Sequence, residues 1–257
     1  MKLEGIHALI ESAESGSPRF PPTLVFNEGW MLRLILAWFS THQVSGHPLN
    51  FEPGATWFSE ALLPSPFLPR YRGDKRAEGR THADGILGHI SVGSAGKADT
   101  SLLRGAAQLV VAEAKMFSPM SAGTRNAPTY DQAARNVACI AETLCRADAP
   151  PGQFRSLGFY VLTPDAQARE IDLTSKVDKV SIQRAVFSRA GSYGDELDPW
   201  LSEWFAATLA DIHIGVLSWE QLVDDVRSQD GDTGASLASF YAQSLTHNAP
   251  GSSEVPA

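Results

Sequence analysis

Two charged residues stand where an apolar segment of the chain ends. Residues 106–116 read AAQLVVAEAKM, a run that closes with Glu113 and Lys115. Alternation along a strand places these two side chains on the same face. Burying either charge costs several kcal/mol unless the charge is paired or bound to a metal ion. The pattern therefore fits a plain Glu–Lys ion pair at a fraying strand end, and it also fits a catalytic centre.

A third charged residue, Asp84, favours the catalytic interpretation. It lies in the preceding apolar segment, THADGILGHISV at residues 81–92, and hairpin pairing between the two segments would bring it beside Glu113. Two converging carboxylates repel each other, so a divalent cation is a natural third party. Mg²⁺ favours sites with one or two carboxylates, retained waters and a phosphate oxygen from the substrate. The alternative for Asp84 is a turn residue, since Asp-Gly is a common turn pair.

The chemistry that this set of residues predicts is hydrolysis of a phosphodiester. A metal ion held by Asp84 and Glu113 would lower the pKa of a bound water and polarise the scissile phosphate. Lys115 could then orient or deprotonate that water and stabilise the developing negative charge.

The order of the motifs resembles the PD-(D/E)XK nuclease superfamily. D84-G85 lies in one strand, E113-A114-K115 ends the next, and a helix that begins with YDQAARN follows. The resemblance covers about residues 26–163, and Ala83 stands where the family motif has proline. It implies a restriction-endonuclease-like core, endonuclease activity, and Mg²⁺ as cofactor with Mn²⁺ as a substitute.

The same resemblance adds two residues to the predicted site. Gln132 begins the helix after the ExK motif, where many members of the superfamily carry an active-site glutamine. Their companion tyrosine four residues later is replaced here by Asn136. Glu28 lies in register with the apolar stripe of the first helix and is predicted to be a third metal ligand. The alternatives are an exposed first-turn position for Gln132 and a helix-dipole role for Glu28.

Other polar residues near these motifs are weaker candidates. Glu78, six residues before Asp84, could replace Glu28 as the extra ligand, although a surface role competes with that interpretation. The predicted substrate contacts are His82, Tyr130, Arg135 and Asn136. The sequence contains no His/Cys set with zinc spacing, no G-x-x-x-x-G-K-[ST] loop and no G-x-S-x-G elbow.

The elements that must position these residues follow from apolar periodicity and helix-capping signals. Residues 56–63 are ambiguous, a turn of helix is expected near Leu102, and another is conceivable near Phe240. Asn27 is expected to cap the first helix, and Ser218 with Gln221 to open the last. The predicted helices are 27–41, 130–147, 175–190, 198–210 and one that ends near 227; the predicted strands are 81–92, 106–116, 156–163 and 212–218.

This order predicts the α/β class, with an α+β mixed sheet flanked by helices. We expect a lead-in at 1–25, one nuclease-like domain at 26–227 with extra C-terminal helices, and a largely mobile tail at 228–257. The tail prediction rests on its few large apolar residues.

Composition limits the class of protein. The 257 residues are 43% hydrophobic, the net charge is −8, and no apolar run is long enough for a membrane span. No secretion signal is evident, and Cys139 and Cys145 do not face each other along a helix, which together favour the cytoplasm. The acidic balance argues against a protein that coats nucleic acid, but it leaves room for a local basic cleft. The densest basic stretch is 70–80.

Together these observations predict a metal-dependent deoxyribonuclease that acts in restriction, phage defence or repair. DNA is the expected partner, with RNA as a possible one, and symmetric cleavage would favour a homodimer or a subunit of a larger assembly. Two alternatives stay open. One is an RNA or structure-specific nuclease with the same site, and the other is a non-catalytic nucleic-acid-binding or assembly module.

Overall fold

A mixed β-sheet forms the centre of the protein. The computed structural model describes residues 10–14, 18–93, 98–123, 126–170 and 172–250. Its strands are β1 (Thr56–Pro64), β2 (Arg80–Gly88), β3 (Ile90–Val92), β4 (Thr100–Leu102), β5 (Gln108–Ala114), β6 (Ser156–Thr163) and β7 (His213–Ser218). The main sheet has the order β1-β2-β5-β6-β7, and β3 pairs with β4 in a small separate sheet. Strands β1, β2 and β5 are antiparallel neighbours, whereas β5, β6 and β7 run parallel.

Helices flank this sheet. They are α1 (Glu28–Phe39), α2 (Gln132–Arg146), α3 (Asp165–Glu170), α4 (Leu173–Lys176), α5 (Lys179–Gly191), α6 (Asp198–Trp200), α7 (Ala206–Asp211), α8 (Trp219–Gln229) and α9 (Gly231–Asn248). A π-helical turn at Leu201–Phe205 joins α6 to α7. Short 3-10 turns lie at Ser12–Glu14, Pro22–Leu24, Pro151–Gln153 and Gly194–Leu197. None of the helices in the described ranges is both long enough and apolar enough to cross a bilayer.

The central strand β5 separates two apolar cores. All seven of its residues are buried, as expected for a strand covered on both faces. Leu109 and Val111 pack into the core under α2 and α5, whereas Val110 and Ala112 pack into the core under α1, α8 and α9. The buried residues of β5 therefore alternate between the two cores, and the mixed sheet flanked by helices confirms the predicted class.

Side-chain caps fix where the flanking helices begin. The Asn27 side chain accepts a hydrogen bond from the Trp30 amide at 3.0 Å, which opens α1. Ser218 accepts one from the Gln221 amide at 3.1 Å, which opens α8. Both caps were predicted, but the Gln221 side chain donates to Asp225 instead of returning to the cap. A capping box, in which the Gln221 side chain would return to the Ser218 amide, is therefore not formed.

The predicted strand at 81–92 is divided in the structure. Strand β2 ends at Gly88, whose φ of +152° and close approach to the Gln108 carbonyl leave no room for a side chain. The chain then turns into β3, which pairs with β4, so the helical turn expected near Leu102 is a strand instead. The ambiguous residues 56–63 form the edge strand β1. Periodicity alone could not show a break at a glycine within one apolar run.

The prediction of a mobile tail from residue 228 is wrong for the part of the tail that the structure describes. Helix α9 packs against α1 and α8 through Leu237 and Tyr241, which are 4% and 7% exposed. The Tyr241 hydroxyl donates to Glu220 at 2.7 Å, and the Asn248 amide donates to the Phe26 carbonyl at 2.6 Å. A narrow apolar stripe is enough to dock this helix. Residues 251–257 lie outside the described residues.

Candidate active site

The Asp84 side chain is hydrogen-bonded to the end of β5. The ladder between β2 and β5 runs from Gly88 opposite Leu109 to Gly85 opposite Ala112. One residue beyond the ladder, the Asp84 carboxylate accepts a hydrogen bond from the Ala114 amide at 2.8 Å. The side chain therefore takes the place of the next backbone acceptor, and this contact holds it where the two strands diverge.

Glu113 and Lys115 occupy the same strand end. The Lys115 Nζ donates to Glu113 Oε1 at 2.6 Å, and the Glu113 side chain is fully buried while that of Lys115 is 14% exposed. The Lys115 backbone is held on both sides, because its amide donates to the Leu162 carbonyl and its carbonyl accepts from the Trp219 indole, each at 2.8 Å. The predicted ion pair is thus present in a buried and well-anchored form.

Two amide side chains from α2 complete the contacts of Glu113. Gln132 donates to Oε1, and Asn136, one helical turn later, donates to Oε2 at 3.2 Å. The Gln132 side-chain carbonyl accepts from the Ser121 amide at 3.1 Å, which fixes the orientation of that side chain. The structure thus places the Gln132 side chain beside Glu113. It also gives Asn136 a role that the shared helix face with Gln132 could have indicated.

The electrostatics of Glu113 reflect its neighbours. Burial raises the pKa of this carboxyl group, the nearby Asp84 charge also raises it and Lys115 opposes the shift; together they bring the pKa to about 8. Asp84 raises the Glu113 pKa in two ways, as a nearby negative charge and as a hydrogen-bonding neighbour that favours the protonated carboxyl group. The two carboxyl groups that the sequence placed in adjacent strands therefore converge in the folded chain.

The carboxylate pair fits a divalent cation. Three donors occupy the Glu113 oxygens, which leaves acceptor capacity on Oε2. Asp84 lines a cavity of about 530 Å³ together with Lys115. Two carboxylates completed by water are a set that Mg²⁺ favours, and bringing two negative charges together costs energy that a cation offsets.

Glu28 does not complete a three-carboxylate site. It is half-buried at the start of α1 and lines the same cavity as Asp84. Within the described ranges, however, no group of three or more His, Cys, Asp and Glu side chains is arranged to hold a metal ion. Its predicted place as a direct third ligand is therefore not supported by the arrangement, which leaves Asp84 and Glu113 as the candidate ligands.

A backbone irregularity lies directly beside Asp84. In β1, Ser59 pairs with Gly85 and Ala61 with Ala83, so Glu60 faces Asp84 outside the regular register. Glu60 has a φ of +56°, a left-handed conformation that L-residues rarely adopt. Its carboxylate contacts Arg33 at 3.3 Å and lines the Asp84 cavity. The sequence contains no signal for this feature, because Glu is not a residue that marks a left-handed position.

The remaining predicted residues have other positions. Tyr130 is fully buried and packs edge-to-face on Phe67 at 5.1 Å, which contradicts its predicted contact with substrate. Asn136 is also fully buried and contacts Glu113 instead of solvent. Arg135 forms an ion pair with Glu78 at 2.8 Å, so that pairing, and not a metal, accounts for Glu78.

His82 is exposed and lines a second cavity, which it shares with Gln132 and Arg135 and which does not include Asp84. His82 and Asp84 are two residues apart in β2 but line different cavities.

Comparisons with known proteins found no relative of this chain: no family model, no curated protein and no solved structure matches it. The chemistry of the site therefore has to be inferred from the geometry of Asp84, Glu113 and Lys115.

Proposed function

We propose that this protein is a metal-dependent nuclease of the PD-(D/E)XK type that hydrolyses phosphodiester bonds in DNA. The observation that supports this function best is the convergence of Asp84 with Glu113 at the end of β5, with Lys115 bonded to Glu113. A buried carboxylate that is crowded by a second one is costly to maintain in a structural role alone.

Each residue then has a distinct task. Asp84 and Glu113 would hold the cation through their carboxylate oxygens. When bound, a divalent cation lowers the pKa of the water that it binds and neutralises negative charge on phosphate oxygens. The Lys115 Nζ donates to Glu113, and this side chain would orient the attacking water or stabilise negative charge that develops at the phosphate. Gln132 and Asn136 hold the Glu113 carboxylate in the orientation that faces Asp84.

Cleavage assays with supercoiled plasmid, single-stranded DNA and RNA test the proposal. Wild-type protein should cut DNA with Mg²⁺ or Mn²⁺ and should not cut it in EDTA. Asp84→Asn should lose both metal binding, measured by calorimetry, and cleavage. Lys115→Ala should lose cleavage while largely preserving metal binding, because both carboxylates remain. The matched control is Arg104→Ala, which should behave as wild type because Arg104 is exposed and lines neither cavity.

Three outcomes would count against the proposal. If neither Mg²⁺ nor Mn²⁺ binds and Asp84→Asn changes nothing, the catalytic interpretation fails and a non-catalytic module is the better description. Cleavage of RNA alone would refute DNA as the substrate. Equal loss of metal binding in Lys115→Ala and Asp84→Asn would favour a plain ion pair for Glu113 and Lys115.

A further inference from the structure

The second cavity concentrates positive charge on an otherwise acidic protein. Its volume is about 540 Å³, and Glu78 is its one carboxylate among the described lining residues. The chain as a whole has a net charge of −8. A concave site of one charge sign raises the local concentration of ligands of the opposite sign. We call this second cavity the cationic cavity. The cationic residues that line it are Lys75, Arg76, Arg80, Arg135 and Arg189.

Some of these cations are already neutralised within the fold. Arg135 pairs with Glu78 at 2.8 Å, and Arg80 pairs with Asp99 at 2.6 Å. Arg189 is 5% exposed and donates to the Arg76 carbonyl. These three side chains shape the cavity and add to its potential, but they are not its most available donors.

Lys75 and Arg76 are the available cations. Both are exposed, and neither forms an ion pair with a carboxylate of the residues that the structure describes. The Arg76 guanidinium makes one long contact, to the Ser192 carbonyl at 3.4 Å, while its backbone is held separately by Tyr193 and Arg189. Their positive charge is therefore open to a bound anion, and the loop does not depend on either side chain for its shape.

The cationic cavity adjoins the candidate active site through one carboxylate. Gln132 lines the cationic cavity, Lys115 lines the cavity of Asp84, and both side chains donate to the same Oε1 of Glu113. The Asp84 cavity has the opposite character, because its charged lining residues are three carboxylates and two cations. The two cavities on either side of Glu113 thus suit different ions: a metal cation on one side and an anion on the other.

We infer that the cationic cavity binds phosphate groups of the substrate strand next to the scissile bond, with Lys75 and Arg76 as the contacting residues. This inference rests on the proposed nuclease function. The planar guanidinium of Arg76 matches phosphate oxygens in a bidentate manner, and the Lys75 ammonium adds a second positive charge to the lining of the same cavity. A volume of about 540 Å³ lies in the range of small-molecule sites, which suits a nucleotide-sized part of a strand and not the width of a duplex.

Binding in EDTA tests the inference without cleavage. We would measure the fluorescence anisotropy of a labelled single-stranded oligonucleotide with the full chain and with Lys75→Glu, Arg76→Ala and Arg104→Ala. The Kd should rise about tenfold or more for Lys75→Glu and severalfold for Arg76→Ala, and Arg104→Ala should match wild type. For each neutralised contact, the slope of log K against log salt should become shallower by about 0.7. Unfolding temperatures equal to wild type would show that the variants are folded.

A change at the 5′ end of the oligonucleotide distinguishes a terminal phosphate from the internal phosphates of the strand. Tighter binding of a 5′-phosphorylated strand than of the same strand with a 5′-hydroxyl, lost in Lys75→Glu, would assign the cavity to a terminal monoester. Equal binding of the two strands would assign it to internal diesters. A polyglutamate peptide that competes as well as the oligonucleotide would overturn the assignment to phosphate.

The experiment separates this inference from the proposed function. If wild type cleaves DNA and the Lys75 and Arg76 variants bind and cleave as wild type does, the phosphate site is wrong and the nuclease stands. If wild type cleaves no nucleic acid but its binding depends on Lys75 and Arg76, the site stands as a binding site and the nuclease proposal fails.

Discussion

The Glu113 carboxyl group should make the metal-free protein less stable as the pH rises. Its pKa is raised from 4.5 to about 8 in the folded chain, chiefly by burial. Between these two values the folded state holds a proton that the unfolded state has released, so the free energy of unfolding falls with increasing pH. Below about pH 4.5 Glu113 causes no loss of unfolding free energy, and above about pH 8 the loss has reached its full size. Glu113→Gln removes the titrating group and should remove this loss of stability.

The size of the effect follows from the shift. Each tenfold change in proton affinity corresponds to about 1.4 kcal/mol. A pKa moved from 4.5 to about 8 therefore costs the ionised folded state about 5 kcal/mol in full. Between pH 5 and pH 8 wild type should lose about 3 kcal/mol relative to Glu113→Gln. Asp84→Asn keeps an acceptor for the Ala114 amide but removes the negative charge that repels Glu113. Over the same pH range, this variant should therefore lose less unfolding free energy than wild type.

Urea unfolding in EDTA, followed by tryptophan fluorescence at several pH values, measures the effect. The relevant quantity is the pH dependence of the difference between proteins, because the substitution also changes the contacts of Lys115, Gln132 and Asn136 by an amount that does not vary with pH. Parallel curves for wild type and Glu113→Gln would refute the reasoning. Added Mg²⁺ should restore stability to wild type at pH 8 and should not do so for either variant.

Three further predictions concern single residues, two of them beside Asp84 or Glu113 and one in the contact between α8 and α9. Glu60→Gly should raise the free energy of unfolding by about 1 kcal/mol, since glycine adopts φ of +56° without strain; Glu60→Ala retains the strain and should show no such gain in the same urea titration. Asn136→Leu should lower kcat for DNA cleavage by about tenfold or more with little change in KM, because Glu113 loses a donor that orients it; an unchanged kcat would contradict this role. Tyr241→Phe should cost about 1 to 3 kcal/mol, as the charged acceptor Glu220 loses its donor, and a value near zero would mean that α9 is only loosely docked.

The part of the site that lies on regular elements could be predicted from the sequence. Alternation along β5 placed Glu113 and Lys115 on one face, and helical spacing placed Gln132 and Asn136 together one turn apart. Each of these inferences needs only the repeat of one element. The predicted strand at 156–163 coincides with β6, because a short continuous apolar run is typical of a buried strand.

The remaining part depends on contacts between elements that are distant in the chain. The left-handed Glu60 follows from how β1 meets β2, and the break at Gly88 follows from its approach to Gln108. The burial of Tyr130 depends on Phe67, more than sixty residues earlier. The cationic cavity combines the basic loop before β2 with Arg135 of α2 and Arg189 of α5. No local sequence pattern predicts contacts of this kind. The apolar stripe of α9 is narrow, and it is recognisable only when the helices that it packs against are known.

The hydrogen bond from the Trp219 indole to the Lys115 carbonyl also has a consequence for the timing of assembly. A ribosome synthesises Asp84, Glu113 and Lys115 long before it reaches residue 219. Until then the nascent chain has no donor for this carbonyl, and strand β7 and helix α8 are not yet present beside β6. The lysine backbone reaches its final anchorage only after residue 219 has been synthesised. A nascent chain that stops before residue 219 would therefore carry the charged residues of the site without the contact that fixes the lysine among them.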